Sequence, residues 1–159
     1  GTPAYKDNSP IVSATDRCNM VKLAIKPFDY MSLSTIETDR PGNTYTADTL
    51  AQIYDSYKKI YFIIGADSLL YIQDWYHPEY ICSHCHLLCA NRDNNSASVL
   101  IDQKHFLADE YGAVIDFIDV PELPYSSTDI RKKVAMGLSV KEDVGEEVEE
   151  YIKSRKLYV

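Results

Sequence analysis

Apolar positions along the chain follow two rhythms, a near-helical period and short unbroken runs, and the two alternate. Ser13, with Asp16 three residues later, opens a segment to Ile25 in which Ala14, Cys18, Val21 and Ile25 stand near helical spacing. A Ser-x-x-Asp start of this kind predicts a capped helix. Around Met31 and Leu33 the period drops to two, which predicts a short strand, and Arg40-Pro41-Gly42-Asn43 then breaks regular structure. A second helix is predicted from near Thr46, because Leu50, Ile53, Tyr54 and Tyr57 share one face at i, i+3, i+4 and i+7.

Ile60 to Ile64 is continuously apolar and β-favouring, as in a strand covered on both faces, and Gly65-Ala66-Asp67-Ser68 follows as a tight connection. We read it as a central parallel strand. Leu87 to Ala90 and Val114 to Ile118 predict further strands, with a helix over Ser98 to Tyr111 between them. This alternation is that of βαβ units, so the expected fold class is α/β, a mostly parallel sheet with helices on both faces. Near the end, Ser126-Ser127-Thr128 precedes a helix that stops at Gly137. A last helix runs through Val148, Tyr151 and Ile152 into Lys153 to Lys156, with acidic residues before basic ones as the helix dipole favours.

Composition adds bounds. A chain of 159 residues, 45% hydrophobic, supports one substantial core, and a single domain over 1–159 is expected. The longest apolar run is far below the ~18 residues of a bilayer span, and the start lacks a signal peptide's basic and apolar regions. A soluble, cytoplasmic protein without a membrane partner is expected. The formal charge of −8 counts against a nucleic-acid partner, since phosphate backbones are gripped by clustered Lys and Arg. Glu142, Asp143, Glu146, Glu147, Glu149 and Glu150 carry much of it with no Lys or Arg among them, and read as a solvated helical face. A small anionic substrate stays compatible.

Several segments can carry chemistry. Ser126-Ser127-Thr128-Asp129-Ile130-Arg131 places hydroxyls at a helix start and a guanidinium one turn on, a geometry that fits phosphate but equally an ordinary cap with a surface Arg. Asp67, just past the strand ending at Gly65, can accept hydrogen bonds from ribose hydroxyls or cap the next helix. Tyr45-Thr46 leads into a helix, and Asp74-Trp75-Tyr76-His77-Pro78 holds the only Trp, whose indole suits either stacking on a flat heteroaromatic ring or a place in the core. Cys82, Cys85 and Cys89, interleaved with His84 and His86, raise a zinc site; no second ligand pair at finger-like spacing accompanies them.

In this order and at these separations, the segments resemble bacterial nicotinate mononucleotide adenylyltransferase, of the nucleotidyltransferase superfamily with a Rossmann-like fold. The resemblance covers nearly the whole chain. It rests on Pro3-Ala4-Tyr5-Lys6 at the family's Pro-Pro-His-Lys loop, Arg17 and Met20 on a helix, Thr44-Tyr45-Thr46 at its Ser-Tyr-Thr turn, and Ile64 to Ser68 at its Ile-Gly-Ala-Asp-Ser segment. Trp75-Tyr76, Arg92, Ser126 to Arg131, Tyr151-Ile152 and Leu157-Tyr158 complete it. Ala4 and Tyr5 depart from the family's Pro and His. The family's first strand and its Gly-x-Phe-x-Pro-x-His-x-Gly-His motif precede the position of Gly1. The resemblance therefore implies a domain without its first strand, and a fragment inactive without that His motif.

The resemblance implies adenylyl transfer from ATP, with Mg²⁺ carried by the nucleotide, to nicotinate mononucleotide, giving nicotinate adenine dinucleotide and pyrophosphate on the route to NAD. Ser127, Thr128 and Arg131 would be catalytic and, with Ser126, would hold ATP phosphates; Gly65 and Asp67 would meet its adenosine. Lys6, Tyr45, Thr46, Trp75 and Tyr76 would bind the mononucleotide, with Trp75 stacked on the nicotinate ring and backbone N–H groups near Thr46 and Tyr76 receiving its carboxylate. Two alternatives stay open: an adenylyltransferase for another phosphorylated acceptor such as phosphopantetheine, and a non-catalytic nucleotide- or zinc-binding module. A homo-oligomer is neither required nor excluded.

Overall fold

The computed structural model describes residues 2–3, 12–57, 59–91, 97–121 and 125–159. In chain order the elements are β1 (Thr2–Pro3), α1 (Ala14–Ile25), β2 (Asn43–Thr44), α2 (Thr46–Ile53), β3 (Tyr61–Gly65), α3 (Ala66–Leu70), α4 (Pro78–His84), β4 (His86–Asn91), α5 (Ala97–Tyr111), β5 (Val114–Asp119), α6 (Ser127–Ala135), α7 (Lys141–Val144) and α8 (Glu146–Ser154). Single 3-10 turns lie at Tyr54–Ser56 and Ile72–Asp74. The chain divides into two compact units, 44–122 and 1–43 with 123–159.

The 44–122 unit is built on a parallel sheet of order β3-β4-β5, flanked by helices. Register runs Ile63↔Leu88↔Asp116 and Ile64↔Cys89↔Phe117. Because side chains alternate across a strand, Ile64, Leu87, Cys89 and Ile115 turn to one face, where they are buried with Leu69, Ile72, Ile81, Leu100 and Leu107 from the helices. Leu69, Ile72, Ile81, Leu87 and Leu107 are fully enclosed, so each Leu or Ile truncated to Ala would cost on the order of 2–5 kcal/mol. The α/β expectation and its three long strands are met.

Two local expectations are corrected. β3 is a sheet edge among the described residues, with β4 in the middle, and it is covered on one face: Tyr61 is 50% and Ile63 68% exposed. A run of apolar residues reports β preference but does not count the layers packed on it. Residues 31–35 form no strand. Their alternation fits an extended segment, yet a strand exists only where a neighbour supplies ladder hydrogen bonds, and no described residue does.

In the 1–43 and 123–159 unit, α1 is capped as expected: Ser13 Oγ accepts the Asp16 N–H at 3.0 Å and donates to Asp16 Oδ2 at 2.6 Å. The buried Asp16 carboxylate also accepts from the Tyr151 hydroxyl at 2.9 Å and from Arg155 Nε at 3.3 Å, which ties α1 to α8. These bonds, that from Ser13 foremost, hold the Asp16 carboxyl below its usual range. Gly137 follows α6 at φ 72°, a backbone that glycine adopts without strain and that ends the helix where expected.

The acidic run is not one solvated face. Glu149 is buried, accepting from Ser139 Oγ at 2.6 Å, the Val140 N–H at 2.8 Å and Lys153 Nζ at 2.8 Å, and the Asp143 carboxylate is enclosed beside Lys133 Nζ at 2.7 Å. Helical spacing turns some of six neighbouring acids inward, so a charge count alone cannot assign them all to water. Hydrogen bonds from Lys153, then Ser139 and the Val140 amide, draw the Glu149 carboxyl from 4.5 down to about 2. The native state thus prefers the ionised form. Its contribution to stability is complete above the ordinary value and drains away as pH falls from there toward the native one. Glu149→Gln is expected to melt lower than the parent at neutral pH, with a shallower loss of melting temperature across that acidic window. Parallel melting curves against pH for the two proteins would remove Glu149 from this role.

Candidate active site

β3 ends at Gly65 and α3 begins at Ala66 without an intervening loop, so both sit at the carboxyl edge of the parallel strands, where open α/β sheets bind ligands. Gly65 has φ −78° and ψ 157°, which any residue can adopt, and a Cβ built there meets no atom within 4 Å. The backbone does not demand glycine at this point. Close approach of a bound group is a use for the missing side chain. Asp67 is not the helix cap, which is Gly65; it is exposed in the first turn of α3 and makes no side-chain hydrogen bond among the described residues.

The crossover from β3 to β4 carries the aromatic turn. Trp75 is partly buried on the core, edge-on to Phe62 with ring centres 6.3 Å apart. Tyr76 is exposed and its ring lies 4.6 Å from that of Tyr45, which precedes α2. Tyr45 holds the cap position of α2 without a side-chain cap bond. The structure therefore brings Tyr45-Thr46 and Tyr76, far apart in sequence, to one corner of the 44–122 unit. His77 follows at φ 52° and ψ 60°, in the left-handed region that non-glycine residues seldom occupy. Its Nδ1 is 2.8 Å from Glu79 Oε1, and this bond is the main cause that holds the Glu79 carboxyl below its usual range.

In the other unit Ser126 caps α6: its Oγ accepts the Asp129 N–H at 3.0 Å and donates to Asp129 Oδ2 at 2.6 Å. That bond, foremost, lowers the Asp129 carboxyl from its usual range. The Ser126 hydroxyl is thus engaged in the helix itself. Ser127, Thr128 and Arg131 are exposed, with Arg131 Nη2 3.4 Å from Thr128 Oγ1. One turn of helix presents two hydroxyls and a guanidinium together, a donor set suited to phosphate oxygens.

The Cys and His residues do not converge. Cys82, Cys85 and Cys89 are buried in the core, His84 stacks on Tyr80 at 3.8 Å, and His86 lies 5.1 Å from the Tyr61 ring on the opposite sheet face. His86 Nε2 stands 2.9 Å from Asp116 Oδ2 but without hydrogen-bond geometry. Among the described residues no group of three His, Cys, Asp or Glu could hold a metal ion. Burial pushes the Cys82 thiol up to about 11 and the Cys85 thiol to about 12, with the Glu79 and Cys82 charges adding smaller amounts, and raises Cys89 as well. All four cysteines are free.

Residues 2–133 match the family model described as cytidylyltransferase-like. The chain belongs to the cytidylyltransferase-like family. It is 35% identical over 159 residues to a probable nicotinate-nucleotide adenylyltransferase of Lachnoclostridium phytofermentans, covering 99% of this chain and 80% of that protein. A protein of the same name from Moorella thermoacetica is 37% identical over 161 residues, covering 99% and 74%. Among solved structures, Plasmodium falciparum nicotinic acid mononucleotide adenylyltransferase complexed with NaAD superposes with a TM-score of 0.72 over 96% of this chain and 78% of that one, at 17% identity. The same enzyme complexed with APC gives 0.71 over 94% and 78%, at 18% identity. These structures share the fold.

The cytidylyltransferase-like match spans Gly65, Asp67, the Trp75-Tyr76 turn and the Ser126 to Arg131 helix start, and stops before α7 and α8. Lys6, expected near phosphate, lies outside the described residues, as does Arg92. Sequence reading assigned no role to His77. The available signal was a His before Pro78, since proline disfavours the right-handed helical region for its predecessor and His tolerates the left-handed one better than most. With Cys82 near 11, roughly one thiol in a thousand is ionised at pH 8. Iodoacetamide is expected to leave Cys82 and Cys85 unmodified in the native protein and to label both once it is unfolded. Rapid native labelling at either position would contradict the burial described.

Proposed function

We propose that this chain belongs to an enzyme that catalyses adenylyl transfer from ATP to nicotinate mononucleotide, giving nicotinate adenine dinucleotide and pyrophosphate, as a cytoplasmic step of NAD formation. The observation that carries it is the Tyr45–Tyr76 contact, which joins the two segments expected to bind the acceptor, in a chain whose relatives are named for this reaction. Four free cysteines fit a reducing compartment.

A phosphate oxygen of the mononucleotide attacks the α-phosphorus of ATP. One P–O bond forms, the bond between the α- and β-phosphates breaks, and pyrophosphate leaves with the electron pair. No covalent enzyme intermediate is required, so the residues act by alignment and by donating to the phosphates, with Mg²⁺ entering as part of the nucleotide substrate. Ser127, Thr128 and Arg131 hold ATP phosphates, Ser126 shapes that helix start, and Gly65 and Asp67 meet the adenosine. Trp75 stacks on the nicotinate ring, Lys6 serves its phosphate, and amide N–H groups near Thr46 and Tyr76 receive its carboxylate. Amide donors match a carboxylate and leave the NH₂ of nicotinamide facing another donor, which favours the acid form. Residues 1–159 are assigned to a single nucleotidyltransferase domain.

Pyrophosphate release with ATP and a panel of acceptors tests the proposal; a preference for phosphopantetheine over nicotinate mononucleotide would overturn it. In the enzyme that carries the His motif, Trp75→Ala is expected to raise the KM for the mononucleotide more than that for ATP, and Arg131→Ala to do the reverse. Equal effects on both substrates in either variant would remove that residue from its role. Gly65→Ala should keep stability within about 1 kcal/mol of the parent, because its backbone angles suit alanine, while impairing ATP use. Unchanged ATP kinetics in that variant would show that nothing approaches Gly65.

A further inference from the structure

His77 is the feature of the 44–122 unit that neither the core nor the expected site explains. Its backbone is left-handed although it is not glycine, and Pro78 follows it. A residue before proline normally escapes to extended backbone. Two ties accompany the exception: the 2.8 Å bond between Nδ1 and the Glu79 carboxylate, and an edge-on contact of the imidazole with the Tyr76 ring at 4.1 Å and 69°. Both His77 and Glu79 side chains are more than half exposed, and such a pair contributes little to stability by itself. Its use is conformational.

The consequence follows from what is anchored on each side. The His77 carbonyl accepts the Tyr80 and Ile81 N–H groups at 3.1 and 3.2 Å, which forms the first turn of α4, and the Ile81 side chain is fully buried. Swinging residue 77 to extended backbone would reorient the peptides on both sides. α4 is held by its buried side chains, so the exposed Tyr76 is the part that moves, away from Tyr45. His77 also lines, with Ala47 and Asp48 of the first turn of α2, a cleft of about 540 Å³. His77 therefore touches Tyr76 and shares a cleft with the helix that Tyr45 precedes.

We propose that His77 is a positioning residue for the acceptor: held left-handed by Glu79 and Tyr76, it sets the Tyr76 ring against Tyr45 and so fixes the turn that receives the mononucleotide. This rests on the acceptor-binding reading of that corner and adds the residue that holds it in shape. His77→Val, which disfavours left-handed backbone, is the disruptive variant. His77→Asn, which tolerates it and keeps a donor for Glu79, is the restoring one.

In the full chain, His77→Val is expected to raise the KM for nicotinate mononucleotide about tenfold while the KM for ATP and kcat stay within about twofold, and His77→Asn to stay within about twofold throughout. Trp75, the only Trp, gives an activity-independent readout two residues away: its emission should shift in the Val variant and match the parent in the Asn variant. Should the Val variant fail to fold, His77→Ala takes its place, with the same signs expected. Equal rises in both KM values, no rise in either, or an Asn variant as impaired as Val would overturn the assignment. If the parent transfers no adenylyl group to nicotinate mononucleotide, the proposed activity fails, and the emission comparison still judges His77: a shift in Val alone supports its positioning role, and identical spectra sink it.

Discussion

The parallel pairing of β4 between β3 and β5 is the constraint on which the 44–122 unit depends. Parallel neighbours cannot be joined by a tight turn, so each connection must travel back along the sheet before the next strand begins. That return path is where α3, α4 and α5 lie, and it leaves every strand end on one edge. Gly65 and Asp67 reach that edge because of topology. The buried face of Leu87, Cys89 and Ile115 then fixes which side of the sheet the helices cover, since a one-residue slip would turn those side chains outward.

The two helix starts with the same cap make an instructive pair. Ser13–Asp16 and Ser126–Asp129 have identical geometry, 2.6 and 3.0 Å in each. At the first, the carboxylate is buried and shared with Tyr151 and Arg155, so the cap is a structural joint between helices. At the second, Asp129 is exposed and its further partner is Lys132 at 3.5 Å, which leaves the adjoining hydroxyls and Arg131 facing outward. A cap by itself therefore says nothing about phosphate. The distinguishing chemistry is the exposed Ser127, Thr128 and Arg131 beyond it.

Much of the fold was legible because it is written in periods. The three long strands and the helices at α1, α2, α5 and α6 appear in the spacing of apolar residues and in Ser-x-x-Asp starts. What was illegible depends on neighbours distant in the chain. Residues 31–35 carry a strand's alternation but have no described pairing partner; β3 carries a central strand's composition at a sheet edge. The Cys82 to Cys89 stretch has a metal-like spacing, but the strand read over Leu87 to Ala90 and the lack of a second ligand pair already count against a site. The structure shows the change from helix to strand at Cys85. That change sends the thiols inward and His86 to the other face. The left-handed angle at His77 accompanies contacts to Glu79 and Tyr76 that are visible only in the structure.

An acidic chain proposed to handle two anionic substrates poses an electrostatic problem that geometry answers. Four lysines pair with the acids of the C-terminal run: Lys26 with Glu147, Lys133 with Asp143, Lys141 with Glu146 and Lys153 with Glu149, at 2.7 to 2.9 Å. Charge that remains unpaired is screened over about 8 Å at physiological ionic strength, so the net charge sets neither affinity nor orientation at a site. Binding an anion here must rely on directed, short-range donors. Amides at helix starts, the Ser127 and Thr128 hydroxyls and the Arg131 fork are groups of that kind, and their strength depends on aim more than on the protein's total charge. A backbone that places amides correctly is then worth more than another surface lysine, which is why a left-handed histidine beside Tyr76 can matter to an acceptor it need not touch.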